Sequence, residues 1–321
     1  MARGDLVFLT GATGFVGSHI LRELLAGGYA VRALARDAGL RDPQERARRA
    51  SRMAEEEEHL QWVPGDLRNV GAFARELEGC CHLVHCAALY SFAPRARAEI
   101  VRVNVSGTAS LMAAAHLAGV ERAVLTSSSA TEGHADSGYH RSKLEQERAA
   151  FASRVSVVAL LPTAPVGPGD RKPTPTGKLV VDFMTGKIVA KAPGRGGMNL
   201  VAVEDVARAH VAALERGNIG ERYIIGGENL SMDEIWQMLA EITGRPMPRW
   251  RAPYALALAA AYADELRCRL TGATPDVPVE GVRLSRERMY ADSSKAREDL
   301  GYAPTPVREA LRRAVDWFAT N

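Results

Sequence analysis

The chain is poor in cysteine and in aromatic residues. It has four cysteines among its 321 residues, and phenylalanine, tryptophan and tyrosine together make up 6% of it. No two cysteines have the spacing of a zinc site or of a Cys-x-x-Cys redox motif, so we predict no metal centre. We expect the cysteines to be buried free thiols of a protein in a reducing compartment.

The chain also lacks a strong net charge and a long apolar run. Its formal charge is +3 at neutral pH, which gives no indication of a nucleic-acid or membrane partner. The most apolar helix candidate, Leu256–Ala263, is too short to span a bilayer, which takes about 20 residues. We expect it to pack inside a second lobe. The first apolar run opens the fold directly rather than forming a signal peptide, so we predict a cytoplasmic protein.

Apolar strands alternate with amphipathic helices in the first half of the chain, as is typical of a parallel sheet covered on both faces. We predict an α/β protein with a doubly wound parallel sheet in residues 1–165 and a smaller mixed α/β lobe in residues 166–321. The boundary follows a proline-rich crossing, and a later strand at Arg222–Ile225 is expected to rejoin the main sheet. The other predicted strands are Leu6–Thr10, Ala30–Ala35, Leu60–Pro64, Cys81–Cys86, Arg122–Ser127, Val155–Leu161 and Leu200–Val203. The predicted helices are Val16–Ala26, Arg68–Leu77, Ala98–Ala118, Tyr139–Ala152, Val206–Glu215, Met232–Ile242, Tyr254–Leu270 and Val307–Phe318.

A glycine-rich turn between the first strand and the first helix predicts a site for a pyrophosphate. Gly11 permits a sharp turn, Gly14 lets backbone N–H groups approach a phosphate, and Gly17 lets the helix pack close to the strand. The N-terminus of the helix adds unpaired N–H donors and the positive end of its dipole. We therefore predict that this turn binds a dinucleotide. Its candidate cofactor residues are Thr10, Gly11, Thr13, Gly14, Phe15, Val16 and Gly17.

Residues after the second and third strands indicate which dinucleotide binds. The residue that ends the second strand of such a sheet contacts the adenosine ribose, and an arginine there suits the 2′-phosphate of NADP. Arg36 has this position, although the adjacent Asp37 would suit NAD; we favour NADP(H) and keep NAD(H) as the alternative. Asp66 can accept a hydrogen bond from adenine, cap the next helix, or do both. The charged segment 41–59 is interpreted as a solvated helix, and an arginine reaching the cofactor phosphate is the alternative.

Tyr139 and Lys143 are four residues apart and share one face of a predicted helix. A tyrosine ordinarily has a pKa near ~10, and a neighbouring ammonium group lowers that pKa by favouring the phenolate. Tyr139 can then exchange a proton with a substrate hydroxyl or carbonyl, and Lys143 can also bind the cofactor ribose. A tyrosine and a lysine at this spacing are common on helix surfaces, so the pair gains weight only from its surroundings.

Two further polar positions can contribute to chemistry at the carboxyl edge of the sheet. Ser127–Ser129 follow the fifth strand, where a hydroxyl can donate to a substrate oxygen whose charge develops during hydride transfer. An ordinary strand-end turn is the alternative for these serines. Asn104 falls inside a helical pattern, where asparagine is unfavourable. Two explanations for Asn104 stay open. The buried side chain can bind a water or a backbone carbonyl, or the asparagine can mark a simple irregularity of the helix.

Taken together, these motifs resemble the extended short-chain dehydrogenases/reductases of the epimerase/dehydratase group over nearly the whole chain. Within that group the chain is most similar to hopanoid-associated sugar epimerases and, more distantly, to dihydroflavonol reductases. The resemblance implies a Rossmann-type cofactor domain, an enzymatic function and a homodimer that forms through the helices near 98–118 and 139–152. The segments that carry the resemblance are the glycine turn, Gly65–Leu67, His85–Ala88, Arg102–Asn104, Thr126–Ser128, Tyr139–Lys143, Pro168–Asp170, Lys172–Gly177, Asn199–Ala207 and Gly220–Asn229.

The resemblance also implies roles for single residues. Tyr139 would be the acid/base, with Lys143 lowering its pKa and binding the ribose. Ser128 would polarise the substrate oxygen, and Asn104 would support a proton-relay water. Further cofactor contacts are expected from Arg36, Asp66, Leu67, Ala87, Ala88, Pro162 and Thr163. The substrate pocket is expected to be lined by Leu89, Tyr90, Ser129, Lys178 and Asn199.

We predict an enzyme that moves a hydride between a nicotinamide and the carbon of a secondary alcohol or ketone. The segment between Ser129 and Tyr139 is shorter than in similar proteins, which opens the site to a bulkier substrate. Arg36 fits a reductase that consumes NADPH better than an epimerase that keeps NAD bound. We therefore favour an NADPH-dependent ketone or aldehyde reductase, or an alcohol dehydrogenase. A redox-neutral nucleotide-sugar epimerase or dehydratase and a non-catalytic dinucleotide sensor are the alternatives.

Overall fold

The computed structural model describes most residues of the chain. These are residues 5–36, 59–90, 96–132, 138–188, 190–191, 193–194, 196–271 and 279–321. Within those ranges, the side chains of residues 138, 139, 269, 280 and 284 are outside the description. Apart from His59, the charged segment 41–59 also lies outside the described residues, so the helix predicted there stays a prediction.

The strands form two sheets. A seven-stranded parallel sheet has the order β3-β2-β1-β4-β5-β6-β9, and a second sheet places β8 between β10 on one side and β7 and β11 on the other. The parallel sheet confirms the predicted fold class, because its first six strands have the order of a doubly wound dinucleotide-binding fold. The strands are β1 Leu6–Thr10, β2 Ala30–Ala35, β3 Leu60–Pro64, β4 His82–His85, β5 Arg122–Thr126, β6 Ser156–Pro162, β7 Ala164–Val166, β8 Gly197–Ala202, β9 Arg222–Ile225, β10 Glu228–Ser231 and β11 Arg288–Met289.

Helices cover both faces of the parallel sheet, with α1 and α5 packed together and α2 packed against α3. Helix α2 is continuous through three segments, Arg97–Ile100, the π-helical Val101–Ser106 and Gly107–Leu117. The remaining helices are α1 Phe15–Ala26, α3 Gly138–Phe151, α4 Pro175–Met184, α5 Val203–Arg216, α6 Met232–Thr243, α7 Tyr254–Thr271, α8 Val279–Leu284, α9 Ser294–Leu300 and α10 Val307–Thr320. No helix in the described part of the chain is long and apolar enough to cross a membrane.

The chain forms two compact units, each built from several segments. The first unit comprises residues 1–163, 203–225 and 293–303 and contains the parallel sheet. In its core, the rings of Phe8 and Phe73 stack with centroids 6.0 Å apart. Burial of each such apolar side chain stabilises the fold by roughly 1.5–3 kcal/mol.

The second unit comprises residues 164–202, 226–292 and 304–321 and contains the four-stranded sheet. Its core lies between that sheet and helices α4, α6 and α10. Phe183 of α4 stacks on Trp236 of α6, with ring centroids 5.7 Å apart. This aromatic pair fixes the two helices against each other beyond what area burial alone supplies.

Two local predictions need correction. The helix expected at Arg68–Leu77 is instead a pair of short 3-10 segments, Leu67–Ala72 and Ala74–Leu77. Non-helical backbone angles at Asn69 kink the first segment, and those of Phe73 separate it from the second. The proline-rich crossing also contains helix α4, whose first residue is Pro175. Thr174 caps that helix by accepting from the Gly177 amide at 3.2 Å. Proline suits the first helical position, where its missing N–H costs nothing.

Candidate functional site

The glycine turn between β1 and α1 has a shape that larger residues cannot adopt. Gly11 has a φ of +79°, and a Cβ there would lie 2.7 Å from the amide nitrogen of Ala87. A Cβ on Gly17 would collide with the Gly11 carbonyl oxygen. Gly14 begins α1 in an extended conformation, and no described side chain caps the helix. The first turn of α1 holds no acidic residue, so the turn fits an anionic group such as a pyrophosphate.

A chain of buried hydrogen bonds runs from the end of β1 to helix α3. The Oγ1 atom of Thr10 lies 2.7 Å from Nδ1 of His85, and His85 Nε2 lies 2.7 Å from Oγ1 of Thr108. Nε2 of Gln146 donates to Thr108 Oγ1 at 3.1 Å, and Oε1 of Gln146 accepts from Lys143 Nζ at 2.6 Å. All five side chains are buried. Burial, with a smaller effect of Lys143, lowers the pKa of His85 to about 3, so its imidazole is neutral.

Lys143 is held in a defined orientation within this chain. Besides its bond to Gln146, its Nζ donates to the carbonyl oxygen of Thr126 at the end of β5, at 2.7 Å. An ammonium group has three donors, so these two bonds leave one donor for a ligand. Burial lowers the pKa of Lys143 to about 8. Tyr139 lies one helical turn earlier on α3, and its side chain lies outside the described residues.

Asn104 lies in the π-helical segment of α2 and is buried. Its Oδ1 accepts from the Leu89 amide at 2.7 Å, and its Nδ2 donates to the Leu89 carbonyl at 3.0 Å and to Ser142 Oγ at 3.3 Å. Both interpretations of this residue from the sequence are therefore present, since the helix is irregular and the side chain holds a backbone carbonyl. π-Helical turns recur at functional sites because they redirect one side chain. Here the bonds fix Leu89, next to the half-exposed Tyr90.

The three serines after β5 differ in what their hydroxyl groups do. Ser127 is buried and donates to Glu147. Ser128 is partly exposed, and its Oγ accepts from the Ala130 amide at 3.2 Å. Ser129 begins a short 3-10 segment, Ser129–Glu132. The hydroxyl of Ser128 thus remains able to donate to a ligand, whereas that of Ser127 is committed to the carboxylate.

Glu147 of α3 is the centre of a charged network. It accepts from Thr131 Oγ1 and from Arg222 Nε, both at 2.8 Å, as well as from Ser127. Arg222 of β9 also donates to Thr131 Oγ1 at 2.8 Å and pairs with Glu132. The network therefore fixes both ends of the turn that carries Ser128 and Ser129.

Arg36 directly follows β2, and Asp66 lies two residues after the end of the neighbouring strand β3. Asp66 accepts from the Arg68 amide at 2.9 Å and pairs with the Arg68 guanidinium at 2.7 Å. That hydrogen bond is the main reason why the pKa of Asp66 is lowered, and the charge of Arg36 contributes. Asp66 caps the 3-10 segment that begins at the buried Leu67. Arg36 is exposed at the end of its strand.

Other predicted cofactor residues also lie at the carboxyl ends of the strands of the first unit. Ala87 and Ala88 follow β4, and the Ala87 amide donates to Thr10 Oγ1 at 3.1 Å. Pro162 ends β6, and the amide of Thr163 donates to the Ile225 carbonyl at 3.1 Å. The first unit thus gathers the glycine turn, Lys143, Asn104 and Ser128 around one edge of its sheet, as expected for parallel strands.

Two predicted substrate residues, Lys178 and Asn199, belong to the second unit. Lys178 is exposed on α4 and forms an ion pair with Asp182. Asn199 is buried in β8, where it accepts from the Gly227 amide at 2.9 Å and donates to Asn229 Oδ1 at 2.7 Å. The Asn199 amide therefore connects β8 with β10 and the turn before it.

Sequence reasoning did not single out Gln146, Glu147 or Thr108. Gln146 and Glu147 follow Lys143 by three and four residues, so helical periodicity places them beside it. That spacing could have identified the two polar side chains as neighbours of Lys143. Thr108 carried no such signal, because its role depends on a contact between distant parts of the chain.

The fold and this site define a dinucleotide-dependent enzyme with a Rossmann-type sheet. The chain belongs to the NAD dependent epimerase/dehydratase family, whose model matches residues 7–226. It is an extended short-chain dehydrogenase/reductase, with the oxidoreductase or epimerase activity that depends on NAD(P) in this family.

The proteins similar to the chain include a relative named as a reductase and a solved structure that contains a nucleotide sugar and NAD. It is 37% identical over 345 residues to the "Putative dihydroflavonol 4-reductase" of Synechocystis sp., covering 100% of this chain and 96% of the relative. The crystal structure of gox2253 is 34% identical, with a TM-score of 0.81 and 98% of each chain covered. MoeE5 in complex with UDP-glucose and NAD is 27% identical, with a TM-score of 0.74, covering 98% of this chain and 99% of MoeE5.

Proposed function

We propose that the protein is an NADPH-dependent reductase of ketones or aldehydes, which also acts as an alcohol dehydrogenase in the reverse direction. The observation that carries this proposal is Lys143, a buried ammonium group one turn after Tyr139 with a donor left for a ligand. The relative from Synechocystis is named as a reductase and matches the whole chain, which supports reduction as the activity.

The bound nicotinamide would supply or accept the hydride at its C4 atom. In reduction, the Tyr139 hydroxyl gives a proton to the substrate oxygen, and the Lys143 ammonium lowers the pKa of Tyr139 by stabilising the phenolate. The Ser128 hydroxyl donates to the same oxygen as its negative charge develops. Asn104 supports the proton relay by fixing the backbone at Leu89.

The cofactor would bind along the carboxyl edge of the parallel sheet. The N–H groups of the glycine turn hold the pyrophosphate, and Lys143 donates to the nicotinamide ribose. The remaining contacts that we propose are Asp66 and Leu67 with adenine, Ala87 and Ala88 along the adenine–ribose path, and Pro162 and Thr163 at the nicotinamide. We place the substrate beside Leu89, Tyr90 and Ser129 of the first unit, and we propose a homodimer. The substrate contacts of Lys178 and Asn199 stay predictions from the sequence.

Exchange of Tyr139 for phenylalanine tests the assigned proton donor. Tyr139→Phe removes only the hydroxyl, so NADPH oxidation with an accepted ketone should fall by about 10²–10⁴-fold, while NADPH binding stays unchanged. Tyr290→Phe, at a half-exposed tyrosine, serves as the matched control. Full turnover in the Tyr139→Phe variant would show that another group donates the proton.

Arg36 is proposed to select NADP(H) by binding its 2′-phosphate. Loss of one charge-assisted hydrogen bond costs about 1.5–3 kcal/mol, which corresponds to roughly a 10–100-fold increase in the KM for NADPH. Arg36→Ala should produce that increase and leave the KM for NADH nearly unchanged. Arg75→Ala is the control, and an equal loss for both cofactors in Arg36→Ala would exclude phosphate recognition.

A redox-neutral epimerase acting on a nucleotide sugar is the second candidate. The family description and the likeness to MoeE5 in complex with UDP-glucose and NAD favour it. Native mass spectrometry of the purified protein separates the two functions, because an epimerase retains NAD whereas a reductase exchanges NADPH. A net change of NADPH absorbance with substrate supports the reductase. Binding of NADPH without turnover of any alcohol, ketone or nucleotide sugar would indicate a sensor.

A further inference from the structure

Helix α7 of the second unit is apolar on its exposed side as well as on its packed side. Its inner side packs on α8, where Tyr254, Ala257, Leu258 and Ala261 lie against Val279 and Val282. The sequence predicted that Leu256–Ala263 packs inside the second lobe, but this packing accounts for only one side of the helix, and Leu256 and Tyr262 are exposed. Surface helices ordinarily carry polar residues on the opposite side.

The outward side of α7 is formed by leucine, alanine and tyrosine. Leu256, Leu266 and Leu270 are 66%, 58% and 81% exposed. Leu266 and Leu270 lie four positions apart, about one helical turn, and Leu256 lies fourteen positions before Leu270, about four turns, so the three fall within one broad stripe along the helix. We call this stripe and its neighbours the α7 face; its members are Ala255, Leu256, Ala259, Ala260, Tyr262, Ala263, Leu266 and Leu270. A contiguous apolar surface of this kind marks an interaction site.

Among the described side chains, two arginines border the α7 face. Arg267 is the exposed charged residue among the described side chains of α7, and its partner Asp264 is largely buried. Glu265 is also turned inward, where it accepts from the Val279 amide at 3.1 Å. Beside the face, the Arg283 guanidinium donates to the hydroxyl of the exposed Tyr262 at 2.9 Å. The face therefore presents apolar groups bordered by arginines, with its carboxylates on the inner side.

The chain just before α7 continues this pattern. Arg249 and Trp250 are exposed five and four residues before the helix begins, and Trp250 is 57% exposed. Tryptophan is enriched at the level of lipid headgroups, where its ring is in apolar surroundings and its N–H group is hydrated. Arginines beside an apolar helix face are typical of helices that lie flat on anionic bilayers.

We propose that the α7 face docks the enzyme on a membrane surface that carries anionic lipids, with α7 lying parallel to the surface. A second copy of the chain fits the face less well, because a two-fold interface would juxtapose the same patch from both subunits. Each copy would then bring arginines to the interface, and neither α7 would supply an outward carboxylate to pair with them. An anionic headgroup layer complements both features of the face, its apolar stripe and its cationic border.

Flotation with lipid vesicles tests this proposal on the whole protein. Vesicles of phosphatidylcholine mixed with phosphatidylglycerol should carry the protein upward, whereas vesicles of phosphatidylcholine alone should carry much less. Binding to the mixed vesicles should weaken as salt screens the arginines. Leu266→Ser and Leu270→Ser should each reduce the bound fraction, by roughly tenfold per leucine. Arg283→Glu should reduce binding to the mixed vesicles only.

Ile219→Ser is the matched control, because Ile219 is a 48% exposed apolar residue of the first unit. It should float like the unaltered protein. Thermal unfolding of each variant shows whether it remains folded. We expect every variant to do so, because the altered side chains are exposed. No flotation of the unaltered protein, equal flotation on both vesicle types, or undiminished flotation of Leu266→Ser would overturn the proposal. So would sedimentation showing that Leu266→Ser dissociates a dimer, because a second copy would then cover the face.

Discussion

Helix α3 sends polar side chains into two networks that differ in charge and in burial. Lys143 and Gln146 belong to a chain that ends at Thr10 and contains one cation and otherwise neutral groups. Glu147, the next residue along, joins a network of two carboxylates and Arg222, whose side chain is 35% exposed. The adjacent residues Gln146 and Glu147 thus belong to two different hydrogen-bond networks.

The difference shows how each network serves the site. Neutral hydrogen-bond partners hold the buried Lys143 in place, and burial lowers its ammonium pKa to about 8, an effect that the charge of Glu147 opposes only in part. A carboxylate in contact with Nζ would favour the charged form and raise that pKa. The Glu147 network contains the carboxylates instead, where they fix the turn of Ser128. One network holds Lys143 and the other fixes the turn of Ser128. This separation leaves the pKa of Lys143, at about 8, close to neutral pH.

The largest effect on stability is expected from removal of Glu147. Glu147→Leu leaves Arg222 with Glu132 as its remaining carboxylate partner in the network. Breaking a buried ion pair costs about 3–5 kcal/mol. We expect about 3 kcal/mol of unfolding free energy to be lost, since Arg222 is partly exposed and solvent screens its charge. Urea unfolding measures the change, and Glu145→Leu on the exposed side of α3 is the control. A loss no larger than that of the control would mean that the network contributes nothing.

Removal of Gln146 should cost less stability but alter the pH dependence of turnover. Gln146→Leu leaves buried partners unsatisfied, which costs about 1–3 kcal/mol. In the unaltered enzyme, reduction should decline as pH rises through about 8, where Lys143 loses its proton and no longer lowers the pKa of Tyr139. Gln146→Glu places a carboxylate next to Nζ and should move this decline to higher pH. Profiles of kcat/KM against pH compare the variants, and identical profiles would refute the assigned contact.

The smallest expected change concerns the buried histidines, which make the free energy of unfolding depend on pH. Burial lowers the pKa of His85 to about 3 and that of His210 to about 4, both below the ordinary 6.5. Below pH 6.5 the unfolded chain binds protons that the folded chain does not, so stability falls as pH is lowered. The slope is at most ~1.4 kcal/mol per unit for each histidine. His210→Gln should flatten the fall between pH 6.5 and 4, whereas His116→Gln, at an exposed position, should not.

The sequence predicts the parallel sheet well because most of its strands are apolar runs, four to seven residues long, that alternate with helical patterns. The predicted bounds of β1, β2, β3 and β9 agree with the structure. The second sheet was harder to predict because β7 and β11 have three and two residues, too few to show a period of two. The glycine turn and Lys143 were found from local pattern. The bonds from Thr10 to Thr108 and from Glu147 to Arg222 join residues far apart in the chain, so local patterns carry no signal for them.

The chain passes between its two units at five points, after residues 163, 202, 225, 292 and 303. A fragment ending at residue 163 would therefore lack β9, α5 and α9, which belong to the cofactor unit. It would present β6 as an unprotected edge strand, prone to pair with other chains, and it would uncover the side of α1 that packs on α5. Neither unit can be transplanted as one uninterrupted cassette. An engineer who wants a new specificity on this scaffold must alter side chains and loops in place, since exchange of the second unit would require five splice junctions.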